Sequence, residues 1–348
     1  MNIKLTKKIS ISKNKRPIIV AEISGNHGGK KTLLLKHIKI AAKSGADMVK
    51  MQTYEPQDIT INKRNNNFVI KQGIWKGKYL WDLYKKAHTP FSWHKDAFAL
   101  AKKLNIVLFS TPFSRRAVDL LEKLKTPIYK IASFEITDLD LIDYIAKTKK
   151  PIIISTGMAN QKDIRKAIAV IKKHHSKIII LHCVSGYPTK ESGANVITLK
   201  DLQTKFKNYN IGLSDHTDDI NSSLAAASHG ACIIEKHFKI SNGIKSLDSK
   251  FSINPKQLKI LRERSAKIFL SLGTAKIGLK NAEKNSLIFR RSIYAIKDIR
   301  RGENLSKNNI GNFRPKIGVN SNKFFKILGM KAKKSIKKFD PIFTKNIK

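Results

Sequence analysis

Short runs of β-branched residues alternate with amphipathic helical segments along most of the chain, and this alternation restricts the fold more than any other feature. Strands that alternate with helices are typical of βα units and a parallel sheet. Eight consecutive units favour a closed (β/α)8 barrel, the TIM barrel of the α/β class, over an open doubly wound sheet. A Rossmann-like sheet is the alternative, although no G-x-G-x-x-G follows the first run. The eight predicted strands are Pro17–Ile23, Met48–Tyr54, Val107–Pro112, Ile128–Ser133, Pro151–Gly157, Lys177–Val184, Asn210–Thr217 and Cys232–Phe238.

The segments between and after these strands complete a two-domain prediction. A lysine-rich helix, Pro255–Leu272, should close a barrel of residues 1–272, and residues 273–288 have the composition of a linker. Residues 289–348 change to short strands and turns, so a small β-rich domain is expected there. Such a domain is marginal alone and should dock on another surface. The predicted helices of the barrel are Leu33–Ser44, Trp93–Leu104, Ala117–Leu124, Leu141–Thr148, Lys162–His174 and Ile220–His229, and the predicted C-terminal strands are Arg291–Ala295, Gly302–Asn304 and Arg314–Gly318.

Composition excludes several classes of protein. Hydrophobic residues make up 41% of the chain, which is enough for a core. No uncharged apolar run reaches the roughly 18 residues of a membrane span, and no apolar signal-peptide core follows the basic N-terminus. The two cysteines, Cys183 and Cys232, cannot form a disulfide framework and lie in apolar runs, so we expect packing thiols. A cytoplasmic location fits best.

The formal net charge of +44 allows two interpretations. A nucleic-acid or anionic-membrane partner would explain it. A lysine-rich compositional bias is the favoured explanation, because the charge is spread along the chain without an arginine-rich block or an aromatic RNA motif. We therefore predict neither a nucleic-acid nor a membrane partner. The positive field would still attract anionic substrates.

The carboxyl ends of the predicted strands are unusually polar. In a (β/α)8 enzyme the active site is built at these ends, so the polar groups should converge on one mouth. They are Glu22, Asn26, His27, Lys50, Gln52, Ser110, Thr111, Lys130, Ser133, Glu135, Ser155, Thr156, Ser185, Tyr187, Ser214, Asp215, His216, Glu235, Lys236 and His237.

Two kinds of chemistry are represented among these groups. Lys50 and Lys130, together with nearby hydroxyls, are suited to bind a phosphate and a carboxylate. His216 and His237 could ligate one divalent metal, with Glu22 or water completing the coordination. A single strand-end histidine is more often structural, and Lys50 could instead be an ion-pair partner or a Schiff-base lysine. The residues alone predict a barrel enzyme for an anionic substrate, and leave the reaction open.

Several motifs, in order, resemble the sialic acid synthase family. The first part of the chain carries AEISGNHGG (Ala21–Gly29), VKMQTY (Val49–Tyr54), FSTPF (Phe109–Phe113), YKIASFEITD (Tyr129–Asp138) and IISTGM (Ile153–Met158). Later come GLSDHT (Gly212–Thr217) and IEKHF (Ile234–Phe238), and FRRSIYA (Phe289–Ala295) and FRP (Phe313–Pro315) resemble the antifreeze-like (SAF) C-terminal domain of the family. The resemblance covers nearly the whole chain.

Two segments resemble the pseudaminic acid branch of that family. Gly73–His94 is similar to an insertion of this branch after the second strand, and Ser185–Pro188 is similar to its turn after the sixth. The N-acetylneuraminate branch typically has Asn in place of Ser185. The resemblance thus implies condensation of phosphoenolpyruvate with 2,4-diacetamido-2,4,6-trideoxy-β-L-altropyranose. An N-acetylneuraminate or legionaminic acid synthase is the alternative.

The resemblance also implies roles for individual residues. Glu22 would deprotonate the attacking water, His216 and His237 would hold Mn2+ or Mg2+, and Glu135 and Glu235 are second candidates for proton handling. Phosphoenolpyruvate would be bound by Lys50, Thr111, Lys130, Ser133, Ser155, Ser185 and Ser214. The sugar would be bound by Gln52, Tyr187, Asp248 and Arg314.

Arg314 carries a further implication about assembly. In the family an arginine of the small domain reaches the sugar site of a second subunit, which implies a domain-swapped homodimer. An ordinary surface arginine is the alternative. One departure concerns Ser246–Asp248, which stands where the family usually has Gly-Pro-Asp. Without that proline the loop could adopt another conformation, and we expect such a change to affect sugar specificity most.

Overall fold

The computed structural model describes residues 2–348, and the chain divides into two compact units between Gly273 and Thr274. Unit 1 contains strands β1–β10 and helices α1–α9, and unit 2 contains β11, β12 and α10. The strands are β1 (Ile3–Lys4), β2 (Ser10–Ile11), β3 (Ile18–Glu22), β4 (Met48–Thr53), β5 (Val107–Pro112), β6 (Tyr129–Ile131), β7 (Ile152–Ser155), β8 (Ile178–Cys183), β9 (Asn210–Asp215), β10 (Ile233–His237), β11 (Ser292–Ala295) and β12 (Ile310–Phe313). The helices are α1 (Lys31–Lys43), α2 (Leu80–Ala87), α3 (Phe91–Lys103), α4 (Arg115–Lys123), α5 (Leu139–Ala146), α6 (Gln161–Lys172), α7 (Thr198–Lys205), α8 (Asn221–Ser228), α9 (Pro255–Leu272) and α10 (Phe324–Ile327).

Strands β3 to β10 form a closed parallel barrel in chain order, and β10 pairs with β3 to complete it. Each pair of neighbours is parallel, and every strand from β3 to β9 is followed by at least one helix before the next strand. The predicted TIM barrel is confirmed, and the open Rossmann-like alternative is wrong. All eight carboxyl ends therefore lie on the same face of the barrel.

Side chains alternate between two hydrophobic layers, as the two-residue period of a strand requires. Residues such as Val20, Phe109 and Ile179 fill the barrel interior, and Ile19, Leu108 and Ile180 pack toward the helices. The interior layer is extended by Ile3 and Ile11 of the β1–β2 hairpin, which are buried against it. The apolar residues of the basic N-terminal segment thus have a structural role, which was not predicted.

Six predicted barrel helices and the closing helix α9 are present. Helix α9 begins with Pro255 in the first turn, and the Asn254 side chain caps it by accepting a hydrogen bond from the Gln257 amide. Helices α2 and α7 were missed. Helix α7 buries only Leu199 and Leu202 on one side, so its apolar pattern is too short to recognise.

Unit 2 has its own core, and it differs from the prediction in detail. Strands β11 and β12 pair antiparallel, and Ile293, Ile299 and Ile310 belong to one buried cluster. Two predicted strands are not regular strands: Gly302–Asn304 is a turn whose last residue forms an isolated antiparallel bridge with Lys331, and Arg314–Gly318 is a loop. The partner of β11 is β12. Pro315 cannot donate to a strand ladder, which explains why the strand ends before it. A 3-10 helix, Asn281–Phe289, covers the second half of the predicted linker and the first residue after it.

No helix within residues 2–348 combines the length and apolar character that crossing a membrane requires. An antifreeze-like identity for unit 2 stays a prediction.

Candidate active site

The polar strand ends sort into inward-facing and outward-facing groups. Asp215 and Lys236 form a buried ion pair of 3.0 Å, and Asp215 also accepts a hydrogen bond from Ser223 of α8. Ser110 bonds Thr53 in the layer toward the helices. These groups therefore support the barrel wall, because neighbouring residues of a strand point to opposite faces.

Lys50 lies at the centre of the inward-facing groups. Its Nζ is 2.7 Å from Glu22 Oε2 and 3.4 Å from Glu235 Oε1, and it donates a hydrogen bond of 3.2 Å to Thr111. All four side chains are buried. Three different strands thus bring one ammonium group and two carboxylates into contact.

Lys130 also contacts the Glu235 carboxylate. Its Nζ donates to Glu235 Oε1 at 2.9 Å and to Oε2 at 3.1 Å, and the Ser214 hydroxyl donates to Oε1 at 3.1 Å. We call Glu22, Lys50, Lys130 and Glu235 the ion-pair cluster. With all four groups ionised its charges cancel, so a bound anion would require compensation from elsewhere.

The two carboxylates of this cluster have opposite pKa shifts. Burial raises the pKa of Glu22, the Glu235 charge adds to the effect, and Lys50 only partly offsets it. Burial also acts on Glu235, but Lys130 and Lys50 outweigh it and lower its pKa to about 2. Neither oxygen of Glu22 receives a well-directed hydrogen bond despite the short distance to Lys50. Glu22 is thus the carboxylate that binds a proton more readily.

Hydroxyl groups line the mouth next to the lysines. The Ser155 hydroxyl is buried and has no hydrogen-bond partner. Gly157 has a φ of +39°, and a Cβ there would lie 2.7 Å from the Ser133 hydroxyl and 2.8 Å from the Ser185 hydroxyl. The backbone at Gly157 therefore separates two predicted anion-binding serines with no room for a side chain.

His216 and His237 lie side by side, with ring centroids 5.3 Å apart. The Nδ1–H of His216 donates to the Val184 carbonyl at 2.9 Å, which leaves Nε2 with a free lone pair. The Nδ1 of His237 is buried without a partner, and burial holds the pKa of this ring well below its usual value. His237 is thus suited to ligate a metal as a neutral ring. Burial also lowers the pKa of His216, but Cys183 and the Val184 carbonyl more than offset this and raise it overall, so His216 must lose a proton before it ligates a metal.

The protein supplies few further ligands at this position. Among residues 2–348, no three His, Cys, Asp or Glu side chains form a metal-binding group. Asp248 Oδ2 lies 4.0 Å from His237 Nδ1, too far for a hydrogen bond. A metal here would keep open positions for water or substrate, as a catalytic metal needs.

One expectation about the cysteines requires correction. Cys232 is a buried packing thiol, and burial raises its pKa to about 12. Cys183 lies 3.8 Å from His216 Nδ1. Burial would raise the pKa of Cys183, but His216, together with Ser133 and Lys130, more than offsets this and lowers it to about 7. A local sequence pattern could not reveal this neighbour, because 33 residues separate the two side chains.

A cavity of about 430 Å³ opens beside the histidines. Three predicted sugar-binding residues, Gln52, Tyr187 and Asp248, line it together with Glu135. Burial raises the pKa of Glu135 to about 7, and its Oε2 has no hydrogen-bond partner. The other lining residues are Ser24, Tyr54, Ile59, Ile70, Trp75, Leu80, Leu83, Tyr84, Ala87, Phe113, Ala132, Phe134, His237, Leu247 and Phe251.

Most of the apolar lining was missed by sequence reasoning. The residues from Ile59 to Ala87 come from the segment after β4 and from α2, which was considered only as an insertion. Trp75 packs against Tyr187 with ring centroids 5.8 Å apart, and Tyr187 in turn lies 4.4 Å from the His216 ring. The repeated large apolar residues of the insertion were the available signal.

Asp248 is held in the cavity by the loop after β3. Its Oδ2 accepts a hydrogen bond of 2.9 Å from the Gly25 amide. Asn26 donates to the Phe238 carbonyl at 3.0 Å and to Ser252 at 2.8 Å. These contacts fix the loop after β10 although the family's proline is absent there. Asn26 is therefore a structural residue.

Arg314 lies in unit 2 directly after β12, and its side chain is exposed. Phe313 and Ile317, on either side, are exposed as well. Its predicted reach into a second subunit stays a prediction.

Comparisons with known proteins agree with this arrangement. The NeuB family model matches residues 37–277. A pseudaminic acid synthase from Helicobacter pylori is 41% identical over 95% of this chain and 98% of its own length. An N,N'-diacetyllegionaminic acid synthase from Campylobacter jejuni is 38% identical over 93% of this chain and 98% of its own length.

The fold of this chain is also similar to that of a solved structure. N-acetylneuraminic acid synthetase from Leptospira borgpetersenii, in complex with citrate, superposes with a TM-score of 0.74 at 31% identity, covering 82% of this chain and 95% of that one. The polar barrel mouth, the matched family model and these similarities lead to one assignment. The chain belongs to the NeuB family of sialic acid synthases.

Proposed function

We propose that this enzyme is a pseudaminic acid synthase, which condenses phosphoenolpyruvate, 2,4-diacetamido-2,4,6-trideoxy-β-L-altropyranose and water to pseudaminic acid and phosphate. The observation that carries the proposal is one barrel mouth that combines buried lysines and hydroxyls with two imidazoles beside a largely apolar cavity. The similarity to a pseudaminic acid synthase over nearly the whole chain supports this choice within the family.

Phosphoenolpyruvate binds where cationic and hydroxyl groups converge. Lys50 and Lys130 attract its phosphate and carboxylate, and they exchange part of their pairing with Glu235 for the substrate. The unpartnered Ser155 hydroxyl is free to donate to an anionic oxygen. The remaining residues of this binding site are Thr111, Ser133, Ser185 and Ser214.

Glu22 acts as the general base. As the enol-ether C3 of phosphoenolpyruvate attacks the sugar aldehyde, positive charge develops at C2, and water adds there. Glu22 accepts the proton of that water, for which its raised pKa is favourable. The tetrahedral intermediate then expels phosphate.

His216 and His237 would hold a divalent cation, Mn2+ or Mg2+. When bound, it supplies a Lewis acid that polarises the aldehyde oxygen. Its charge also offsets the incoming anion, which the ion-pair cluster cannot do because its own charges cancel. The neutral state of His237 and the free Nε2 of His216 support this assignment.

Glu135 and Glu235 divide the secondary roles. Glu135 lines the sugar cavity with a pKa of about 7, so it can exchange a proton with a sugar hydroxyl at neutral pH. Glu235 stays ionised and orients the two lysines.

The alternative is a legionaminic or N-acetylneuraminic acid synthase. A legionaminic acid synthase is 38% identical over almost the same length, so identity alone separates the branches weakly. The apolar residues that the segment after β4 adds to the cavity favour a deoxygenated sugar over a polyhydroxylated one.

The deciding experiment measures phosphate release from phosphoenolpyruvate with Mn2+ and either the diacetamido-altrose sugar or N-acetylmannosamine. We expect release with the first sugar only. Release with N-acetylmannosamine alone would keep the family reaction and reject this substrate.

The metal site has its own test. We expect chelation to abolish activity, and His216→Ala and His237→Ala each to abolish both activity and Mn2+ binding measured by electron paramagnetic resonance. His229→Ala, at the end of α8, serves as the control. Full Mn2+ binding in both active-site variants would reject the assignment.

The proposed assembly is a domain-swapped homodimer in the cytoplasm, in which Arg314 contributes to the sugar site of the second subunit. The exposed Phe313 and Ile317 beside Arg314 support an interface on this side of unit 2.

A further inference from the structure

Trp75 presents an unexplained polar group within an aromatic wall. Its Nε1 is buried and has no hydrogen-bond partner, although the indole lines the cavity. A buried donor that has no acceptor is destabilising. Such a group is rare in a folded protein and requires either a functional partner or a structural reason.

The surroundings of the indole restrict what that partner can be. Trp75 is part of a ring cluster with Tyr187, at 5.8 Å, and Phe251, at 6.3 Å. The segment that carries it also contributes Ile70 and Leu80 to the cavity wall. A ligand at this wall must therefore be mostly apolar and must offer one hydrogen-bond acceptor.

The position of Trp75 relative to the reacting groups indicates which end of the sugar lies beside it. Tyr187 lies between Trp75 and His216, so the indole is one ring further from the histidine pair. The aldehyde carbon must approach the histidines and the ion-pair cluster. Substituents on the far carbons of the sugar chain then lie beside Trp75.

We propose that Trp75 is a specificity-determining residue whose indole N–H donates a hydrogen bond to the carbonyl oxygen of the acetamido group on C4 of the sugar. This inference rests on the proposed function and names the contact that recognises its substrate. An acetamido group provides one carbonyl acceptor and one methyl group, which match the indole donor and the apolar wall. A C4 hydroxyl provides no methyl group for that wall.

The test compares Trp75→Phe with Trp81→Phe. The first change keeps an aromatic ring and removes the donor, and the second makes the same change in α2 at a residue outside the cavity lining. We expect Trp75→Phe to lower kcat/KM for the diacetamido sugar by about tenfold, the loss expected for one hydrogen bond of about 1.4 kcal/mol. The KM for phosphoenolpyruvate should not change, and Trp81→Phe should match the wild type.

An analogue of the sugar with a hydroxyl in place of the C4 acetamido group allows a double-mutant cycle, in which the protein and the sugar are changed separately and together. If the indole donates to that acetamido carbonyl, the loss caused by Trp75→Phe and the loss caused by the analogue will not add. Additive losses, or an unchanged kcat/KM in Trp75→Phe, would overturn the proposal.

Calorimetric binding of the diacetamido sugar separates this inference from the proposed function. Weaker binding to Trp75→Phe than to the wild type supports the contact even if no phosphate is released, in which case only the function fails. Equal binding to both, or no binding to the wild type, overturns the contact. Should Trp75→Phe fail to fold, the wild type's preference for the sugar over its analogue decides: no preference rejects the contact, and a tenfold preference supports it.

Discussion

At the scale of single residues, neighbouring charges and hydrogen bonds give two buried carboxylates opposite pKa shifts. Glu22 and Glu235 lie beside the same lysine, but Glu235 also accepts hydrogen bonds from Lys130 and Ser214. The pKa of Glu235 is therefore lowered and the pKa of Glu22 is raised. Separated pKa values of this kind distinguish a base from an orienting charge.

Replacement of Glu22 by Gln tests its role as the base. The change keeps the size of the side chain and removes proton acceptance, so we expect kcat to fall about 100-fold or more. Phosphoenolpyruvate should still bind in calorimetry. Glu263→Gln on the exposed side of α9 is the control, and a Glu22→Gln variant with kcat near the wild type would exclude Glu22 as the base.

Glu135 makes stability depend on pH. Its pKa is about 7 in the folded protein and 4.5 without the fold, so the folded state holds the proton more tightly. The stability present below about pH 4.5 is therefore lost as the pH rises through about 7. A shift of this size corresponds to about 3 kcal/mol in a fully buried group, and the partial exposure of Glu135 reduces the expectation to about 2 kcal/mol.

The comparison of wild type and Glu135→Gln isolates this effect. Gln cannot ionise, so the advantage of Glu135→Gln in free energy of unfolding should grow by about 2 kcal/mol between about pH 5 and about pH 8. Chemical unfolding followed by tryptophan fluorescence measures it. A constant difference across this range would contradict the raised pKa.

At the scale of elements, the strand-to-helix turns after β6, β7 and β8 pack closely enough to position the serines of the proposed anion site. Gly157, after β7, separates Ser133 after β6 from Ser185 after β8. The site therefore depends on a backbone position as much as on its functional side chains.

Replacement of Gly157 by Ala should raise the KM for phosphoenolpyruvate by about tenfold or more, because overpacking costs about 1–3 kcal/mol and here displaces two binding hydroxyls. Gly302→Ala is the matched control. Gly302 also has a positive φ, +84°, but no atom lies within 4 Å of a Cβ there. The Gly302→Ala variant should lose stability without a change in the KM for phosphoenolpyruvate. Equal KM values for Gly157→Ala and wild type would show that the serines bind independently of this turn.

At the scale of the whole molecule, the proposed dimer predicts complementation between inactive chains. Glu22→Gln disables the barrel and Arg314→Ala disables unit 2, so each homodimer should have little activity. In a mixed dimer one barrel keeps Glu22 and receives Arg314 from the other subunit. Refolding an equal mixture should therefore restore about one quarter of wild-type activity, since half of the dimers are mixed and each has one intact site.

Light scattering on the same mixture determines its oligomeric state. Activity no higher than the average of the two parent variants, in a sample that is dimeric, would reject the exchange of small domains. A mixture of either variant with wild type is the control for refolding yield.

The barrel and the polar character of its mouth were predictable from local sequence patterns. Eight buried β-branched runs specify strands whatever their partners, and strand ends on one face must converge. Glu22, Lys50, Lys130 and the two histidines were predictable for that reason. Unit 2 was predicted less accurately, because its short strands carry little periodic signal and β12 was placed a few residues too late.

How these groups interact could be seen only in the folded structure. Which polar residues face inward depends on register, and register placed the pair Asp215 and Lys236 in the wall. The sugar cavity is built from side chains far apart in sequence, such as Trp75 and Tyr187. The pKa differences between equivalent carboxylates arise from burial and neighbouring charge. These quantities depend on distances through space, and a local sequence pattern does not contain them.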